Sequence, residues 1–392
     1  MRVVIAGGGP AGMMAGLLLA RAGVETLVLE KHADFLRDFR GDTLHPSTLE
    51  VLGELGLLEA LLELPHDRVA EIAAQFGDTA LKIADFRHLP TRCGFIAMMP
   101  QWDFLNFLAK QGARYPAFRL RMNAEVSDLL LHGERISGVK LGNEEIAADL
   151  VIGADGRHSI VRERAGLQVE NRGAPIDVLW FRLSRAPGDP ENSMGRFDPG
   201  AALVLINRRE YWQMGYVIPK GAADEVRAAG LPAFRAMLAR LLPWMGARVA
   251  ELAHWEQVKL LTVQIDCLRR WWRPGLLCIG DAAHAMSPVG GVGINIAIQD
   301  AVAAGNYLAG GDFSPANLAR IQRRRRWPAR LTQRLQIAAQ DRIIARVLNS
   351  RSDLKTPLFF RLLSRFPWLR RLPGRLIGMG VRPEHIAAAQ QE

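Results

Sequence analysis

Three clusters of residues in this 392-residue chain have the types and spacing to hold a phosphorylated ligand. The first is Gly7-x-Gly9-Pro10-Ala11-Gly12, followed 18 positions after Gly12 by Glu30 and then Lys31. In such a turn the first glycine makes the bend and the second lets backbone approach a pyrophosphate. The third lets helix and strand pack closely, and the acidic residue accepts hydrogen bonds from a ribose. The second cluster is Asp155-Gly156, at the end of the apolar run Leu150-Val-Ile-Gly-Ala. The third is Gly280-Asp281, after Leu276-Leu-Cys-Ile, continuing as Pro288-Val-Gly290-Gly291-Val-Gly293-Ile294-Asn295. Taken singly, the second and third could equally be buried strands closed by an Asx turn. Together with the first, they specify far more.

The elements that must position these residues can be read from the flanking patterns. Val3–Ala6 has the continuous apolar character of a buried parallel strand, Met13–Ala22 continues from the glycine turn as an apolar helix, and Glu25–Glu30 is a second strand. Residues 1–23 also imitate a signal peptide, with Arg2, an uncharged run and Ala20-Arg21-Ala22. The break at Gly7-Gly8-Gly9-Pro10 argues against that and for the strand–turn–helix unit. A helix is expected over Gln101–Lys110 and another over Ile296–Leu308. Between them, Asp177–Leu183, Ala202–Asn207 and Tyr211–Ile218 show the alternation of strands. Period two puts Tyr211, Gln213 and Gly215 on one face and Trp212, Met214 and Tyr216 on the other.

Composition narrows the class. The chain is 49% hydrophobic and 23% charged, ordinary for a globular protein and long enough for two or three compact units. Cys93, Cys267 and Cys278 form no C-x-x-C pair, which argues against a disulfide framework, a cysteine zinc site or a dithiol redox centre. A reducing, cytoplasmic compartment is expected. The net charge of +10 is unevenly placed: residues 1–315 carry 33 Lys and Arg against 36 Asp and Glu, whereas residues 316–392 carry 17 against 4. That tail contains Arg323-Arg-Arg-Arg326-Trp327-Pro328 and the arginine-punctuated apolar run Pro357–Arg371. It suits helices that pack on the body or form a dimer contact, with Trp368 buried, and it also suits a peripheral membrane surface. Packing is the expectation. Nucleic acid is not expected as a partner, since no binding motif surrounds the run.

The three motifs, in this order and at these separations, resemble those of the single-component FAD-dependent aromatic hydroxylases of the para-hydroxybenzoate hydroxylase type. The resemblance spans the cofactor-binding parts of residues 1–310. It implies an α/β protein with a Rossmann-like FAD-binding domain, an inserted mainly antiparallel β-sheet substrate domain and a C-terminal helical segment. The FAD-binding domain would comprise 1–70, 98–170 and 268–320, the substrate domain 71–97 and 171–267, and the basic C-terminal helices 321–392. Gly7, Gly9, Pro10, Ala11, Gly12, Glu30 and Lys31 match the ADP site. Arg40 matches an arginine along the cofactor, Gln101 a residue near the phosphates, and Val126 a short strand whose backbone meets the adenine. Asp155 with Gly156, and Gly280 with Asp281, match the two aspartate motifs. Gly291, Gly293, Ile294 and Asn295 match the helix start facing the flavin pyrimidine. That match has its own physical reason, because a helix N-terminus supports negative charge on the reduced ring. Pro288 would form the wall at the reacting edge of the flavin, the single position expected to act in catalysis.

The implied reaction is hydroxylation of an aromatic, phenolic or quinol-like molecule with NAD(P)H and O2, through a flavin C4a-hydroperoxide. FAD would be held tightly without a covalent bond, and the nicotinamide would dock transiently, since no second strand–GxGxxG–helix unit follows. The Trp-x-Trp-x-x-Ile segment of flavin halogenases is also missing. Trp180, Arg182, Tyr211, Met214 and Tyr216 are the candidate substrate contacts. No His or Cys cluster has metal-ligand spacing, and His32, His45, His66, His88 and His158 read as surface or turn residues. The expected state is a monomer or homodimer. Two rivals stay open: a reductase or dehydrogenase of the same fold that inserts no oxygen, and a non-catalytic, flavin-bound, membrane-associated partner.

Overall fold

The computed structural model describes residues 1–36, 42–77, 79–191, 193–350 and 357–387. Its first sheet has six strands in the order Trp272–Arg273, Leu276–Cys278, Leu150–Gly153, Arg2–Ala6, Glu25–Leu29 and Phe118–Arg121. The five from Leu276–Cys278 to Phe118–Arg121 run parallel, and Trp272–Arg273 closes one edge antiparallel. Arg2–Ala6 lies centrally, with Val4 paired to both Val151 and Leu27. Strands with both faces covered read as continuous apolar runs, and Val3, Val4 and Ile5 are fully buried.

One face of this sheet is covered by Pro10–Arg21 and Gly293–Leu308, both apolar nearly all round. The two helices approach closely because position 305 is glycine. A Cβ there would lie 2.9 Å from Leu18 Cβ. A three-stranded meander, Asp128–His132, Arg135–Leu141 and Glu144–Ala147, makes the crossover into Leu150–Gly153.

The second large sheet has seven strands in the order Lys259–Leu261, Ile176–Ser184, Tyr211–Pro219, Ala201–Asn207, Met194–Asp198, Glu71–Phe76 and Thr79–Asp85. It is antiparallel except where Met194–Asp198 runs parallel to Glu71–Phe76. One face packs Leu179, Phe181, Trp212 and Met214 on the helix Leu231–Leu241 through Phe234 and Leu238. The opposite face carries Val178, Trp180, Ala202 and Val217 and forms a separate core that includes Val289.

The helix Pro315–Ala339 runs on through a π-helical turn, Gln340–Ile344, into Ala345–Asn349. Beyond the next described residue, Pro357, the helix Leu358–Arg365, a 3-10 turn Pro367–Arg370 and the helix Arg371–Met379 close against the Thr79–Asp85 edge. The architecture is therefore mixed α/β, with a parallel sheet, a mainly antiparallel one and C-terminal helices. No helix among the described residues is long and apolar enough to cross a membrane.

Candidate functional site

The parallel strands end where the three glycine- and aspartate-bearing turns meet. Gly7 has φ +107°, and a Cβ there would lie 2.4 Å from Ala154 O, so the turn presses directly on the segment leading into Asp155. A Cβ on Gly12 would lie 1.9 Å from Gly7 O. A Cβ on Gly9, by contrast, would meet nothing within 4 Å. Gly7 and Gly12 are thus demanded by packing, while Gly9 opens onto free space. The helix beginning at Pro10 has no side-chain cap and no acidic residue in its first turn, which leaves its N–H groups available to an anion. Ala11 is buried beside Gly280, where a Cβ would lie 3.0 Å from the Ala11 Cβ.

Glu30 lies just past the second strand and is buried. Its Oε2 accepts the Gly8 N–H at 2.9 Å and its Oε1 the His32 N–H at 3.1 Å. The carboxylate therefore braces the glycine turn as well as closing the far side of the cradle. Lys31 is exposed, with Nζ 3.8 Å from Glu125 Oε1. Gln101 opens the helix Gln101–Gly112, and its N–H donates to Asp42 Oδ1 at 3.2 Å. Arg40 lies outside the described residues. Val126 is buried in the connection between Phe118–Arg121 and Asp128–His132, so the expected strand at this position is replaced by irregular backbone.

Asp155 and Asp281 come together from separate parallel strands. Asp155 Oδ2 accepts the Val161 N–H at 3.1 Å, while its Oδ1 is buried and carries no hydrogen bond among the described residues. Burial pushes this carboxyl up from its ordinary value, against the pull of its hydrogen-bond donors at Ser159 and Val161. Gly156 has φ +83° and open space beside it. Arg157 Nη2 reaches Asp281 Oδ2 at 3.6 Å, linking the two aspartate motifs. An orphaned carboxylate oxygen beside an open glycine turn and a bare helix start fit the hydroxyl and phosphate groups of a dinucleotide.

Beneath this cradle lies a buried ionic network invisible in the motif spacing. Asp300 Oδ2 accepts the Gly280 N–H at 3.1 Å and meets His284 Nε2 at 2.5 Å. Its Oδ1 accepts from Arg325 Nε at 2.9 Å, and Arg325 Nη1 in turn reaches Glu384 Oε1 at 3.1 Å. Burial alone would raise Asp300, but His284 and Arg325 hold its carboxyl below the ordinary value. The network fixes the Gly280-Asp281 turn from below.

The loop that follows carries Pro288, half-buried, then Gly290 at φ +81° and Gly291 at φ +63°. Three glutamines of the long C-terminal helix and its π-helical continuation hold this loop and the residues leading into it. Gln333 Nε2 donates to Asp266 O and Ala285 O (2.6 and 2.9 Å), Gln336 Nε2 to Ser287 O and Val289 O (2.9 and 2.8 Å), and Gln340 to Ser287 Oγ. On the other side Thr43 Oγ1 donates to Gly291 O at 2.8 Å. Gly293 starts its helix with open space beside it, no side-chain cap and no acid in the first turn. Ile294 and Asn295 are buried, and Asn295 Oδ1 accepts from Ser47 Oγ and Thr48 Oγ1, both at 2.7 Å. The Asn295 carboxamide oxygen is therefore turned to the helix Pro46–Glu54.

The five candidate substrate residues divide between the two faces of the seven-stranded sheet. Trp180 shares the packed cluster of Val289, beside Pro288, and its ring lies over Gly215, where a Cβ would be 3.1 Å away. The Trp180 indole Nε1 is buried without a hydrogen bond among the described residues. Arg182 and Tyr211 share that face, the guanidinium 5.1 Å from the ring centroid. Arg208 joins them by pairing with Asp42 and donating from Nε to Gln213 Oε1 at 3.3 Å. Burial pushes the Asp42 carboxyl up to about 6, opposed by Arg208, Gln101 N–H and Arg182. Met214 and Tyr216 are a correction: they pack on the opposite face with the helix Leu231–Leu241, the Tyr216 ring 5.6 Å from Phe234. The strand alternation separates the faces, and only the neighbouring helix shows which is core.

His45 is a second correction. It is fully buried, with Nδ1 2.8 Å from Ile377 O and Nε2 3.1 Å from Gly291 O, and burial lowers it to about 4. The three cysteines are free and buried, and desolvation raises each thiol, so none has the character of a nucleophile. Among the described residues no group of His, Cys, Asp and Glu could hold a metal ion.

A dinucleotide cradle on a parallel sheet, faced by a second, antiparallel sheet across a glycine-rich loop, is the architecture of an FAD-binding flavoprotein. The sequence pattern of the FAD binding domain family matches residues 1–327, and the chain belongs to that family as an FAD-dependent oxidoreductase of the monooxygenase kind. Among relatives, 6-methylpretetramide 4-monooxygenase of Streptomyces rimosus is 32% identical over 346 residues, covering 86% of this chain and 82% of that protein. Dialkyldecalin synthase of Streptomyces rugosporus is 25% identical over 320 residues, 78% of this chain and 65% of that one. The fold is shared with Pseudomonas aeruginosa PqsL, solved in complex with 2-aminobenzoylacetate. The two match with a TM-score of 0.75 at 23% identity, over 89% of this chain and 97% of that chain.

Proposed function

We propose that this enzyme hydroxylates an aromatic, phenolic or quinol-like small molecule, using tightly held FAD, NAD(P)H as a transient electron donor and O2. The observation that carries the proposal is the meeting of the cradle, the Pro288–Gly291 loop and the Trp180 face of the antiparallel sheet. In this reading Gly7, Gly9, Gly12 and Glu30 hold the adenosine diphosphate half, with Asp155, Gly156, Gly280 and Asp281 along the remainder. Bound FAD supplies the hydride acceptance and oxygen activation that no side chain can provide.

The chain's own residues bind, orient and exclude water. The bare N-terminus at Gly293–Asn295 stabilises negative charge arriving at that end of the site. Pro288 and the clamped loop form a rigid wall without polar side chains, which protects a water-sensitive centre. Trp180, Arg182 and Tyr211 bound the substrate, Trp180 with an indole N–H to give and Arg182 with a cation stacked on an aromatic ring. The expected discontinuous FAD-binding domain, the sheet-built substrate domain and a monomeric or homodimeric state belong to the same proposal. So does a cytoplasmic setting, supported by three buried free thiols.

Reaction under labelled O2 tests the proposal. One labelled oxygen atom in the product, with NAD(P)H consumed only in proportion, is the expected result. A relative named as a synthase supports a second reading on the same fold, turnover without oxygen insertion. Product free of label would select it. Stopped-flow flavin reduction against a panel of phenols identifies the substrate class, since a true substrate should accelerate reduction.

A further inference from the structure

The C-terminal segment has an inner face packed on the body and an outer face left exposed. Phe360 and Leu363 are buried in the core of the antiparallel sheet, Phe360 with its ring 5.1 Å from that of Phe76. Gly374 and Gly378 let the second helix lie directly on the body. A Cβ on Gly374 would fall 2.2 Å from Asp85 O, and one on Gly378 2.8 Å from Leu89 Cδ1. Arg370 Nε donates to Leu363 O at 2.9 Å and ties the two helices together. The inner face is fixed.

The outer face breaks the packing expectation. Trp368, expected in the core, is 62% exposed, and Leu358 and Leu372 are 71% and 65% exposed. Phe359 and Phe366 are exposed with them. Leu358 and Leu362 are four residues apart, as are Arg361 and Arg365, so apolar and cationic stripes run side by side along the first helix. Leu372 and Leu376 repeat the arrangement beside Arg371 and Arg375 in the second. Residues 357–380 contain five arginines and no acidic residue. The exposed arginines 361, 365, 371 and 375 form no ion pair among the described residues.

We propose that this face docks the enzyme on an anionic phospholipid bilayer, with Trp368 and the exposed Leu and Phe side chains in the interfacial layer and the arginines on headgroup phosphates. Large apolar side chains on one side of a rigid helix pair, with arginines able to snorkel beside them, match the chemistry of that layer. Trp is the residue that best tolerates its mixed polarity. A second copy of the chain fits less well. A two-fold contact through this face would set both sets of arginines against one another with no carboxylate to offset them. The inference is independent of the reaction proposed above, because none of these side chains belongs to the cofactor cradle.

The test uses the full-length, FAD-loaded protein and co-sedimentation with phosphatidylcholine vesicles, with or without phosphatidylglycerol. Binding should be at least about tenfold tighter with the anionic lipid and should weaken at high salt, since screening shortens the reach of the arginines. Each arginine near an anionic surface contributes about fivefold in affinity, so Arg365→Gln with Arg371→Gln should cost roughly 30-fold. Trp368→Ser with Phe359→Ser should cost at least about tenfold through lost apolar insertion. These side chains are exposed, and unchanged melting temperature and flavin content verify the fold of each variant. Protein that stays in the supernatant with anionic vesicles at low salt would overturn the proposal. So would patch variants that bind like the parent, or a dimer in sedimentation equilibrium that the Trp368 and Phe359 changes convert to monomer.

Discussion

Replacing Gln336 by Leu tests whether the long C-terminal helix holds the wall of the site. Gln336 Nε2 supplies both Ser287 O and Val289 O, and its Oε1 accepts the Ser287 N–H at 3.3 Å. Both Gln336 and Ser287 are buried, so water cannot easily replace the lost donor. Three neutral hydrogen bonds are worth about 1.5–4.5 kcal/mol together, and a buried polar group left unpaired costs about 1–3 kcal/mol. Leu recovers some apolar packing, so the net loss should be about 2–4 kcal/mol in urea unfolding of the FAD-loaded enzyme. The same change should loosen the turn bearing Pro288, and NAD(P)H oxidation should become partly uncoupled from product formation. Gln336→Glu separates shape from donation: it keeps the acceptor for Ser287 N–H but turns a carboxylate on two carbonyls, and should be at least as damaging. Stability within about 0.5 kcal/mol of the parent, with product per NAD(P)H unchanged, would refute the clamp.

Two further outcomes follow from the geometry. Glu30→Ala removes an acceptor of the Gly8 N–H and a proposed ribose contact. The loss of about 1.5–3 kcal/mol corresponds to roughly 10- to 150-fold weaker FAD binding by fluorescence titration, and unaltered affinity would sink the assignment of the first motif. His45, lowered from 6.5 to about 4, is neutral in the folded protein. Its contribution is therefore fully present above pH 6.5 and is lost as pH falls toward 4, because the unfolded chain takes the proton first. The total is about 3 kcal/mol. His45→Gln should flatten the urea midpoint between these pH values, and an identical slope in both proteins would show that another group is responsible.

Local chemistry made much of this protein legible in the chain itself. Glycine at 12 is dictated by its contact with Gly7 O inside one strand–turn–helix unit. Gly7 is dictated by the positive φ of the turn itself, although it also abuts Ala154, just past a distant strand. Glu30 follows at the end of the next strand. The spacing of that unit is set by element lengths and survives any change in distant packing. Likewise the alternation in Tyr211–Ile218 separates two faces, because side chains along a strand point alternately. The continuous apolar runs before Asp155 and Gly280 identify buried parallel strands for the same reason. Which face of a strand becomes core depends on what packs there. Met214 and Tyr216 went to the helix Leu231–Leu241, while Trp180 went to the loop of Pro288.

Tertiary structure alone decided the rest. The glutamines at 333, 336 and 340 look like polar positions of a basic helix, yet they serve Ala285, Ser287 and Val289, about 50 residues earlier in the chain. His45 and Asp300 acquire their partners only when residues 377 and 325 fold back on them. A polar side chain carries no record of its distant partner, since hydrogen bonding depends on position to a fraction of an ångström. The tail shows the same division. Its sequence determined an amphipathic, arginine-rich pair of helices, and the body, by accepting Phe360 and Leu363 while leaving Trp368 outside, decided which apolar residues became core and which became surface.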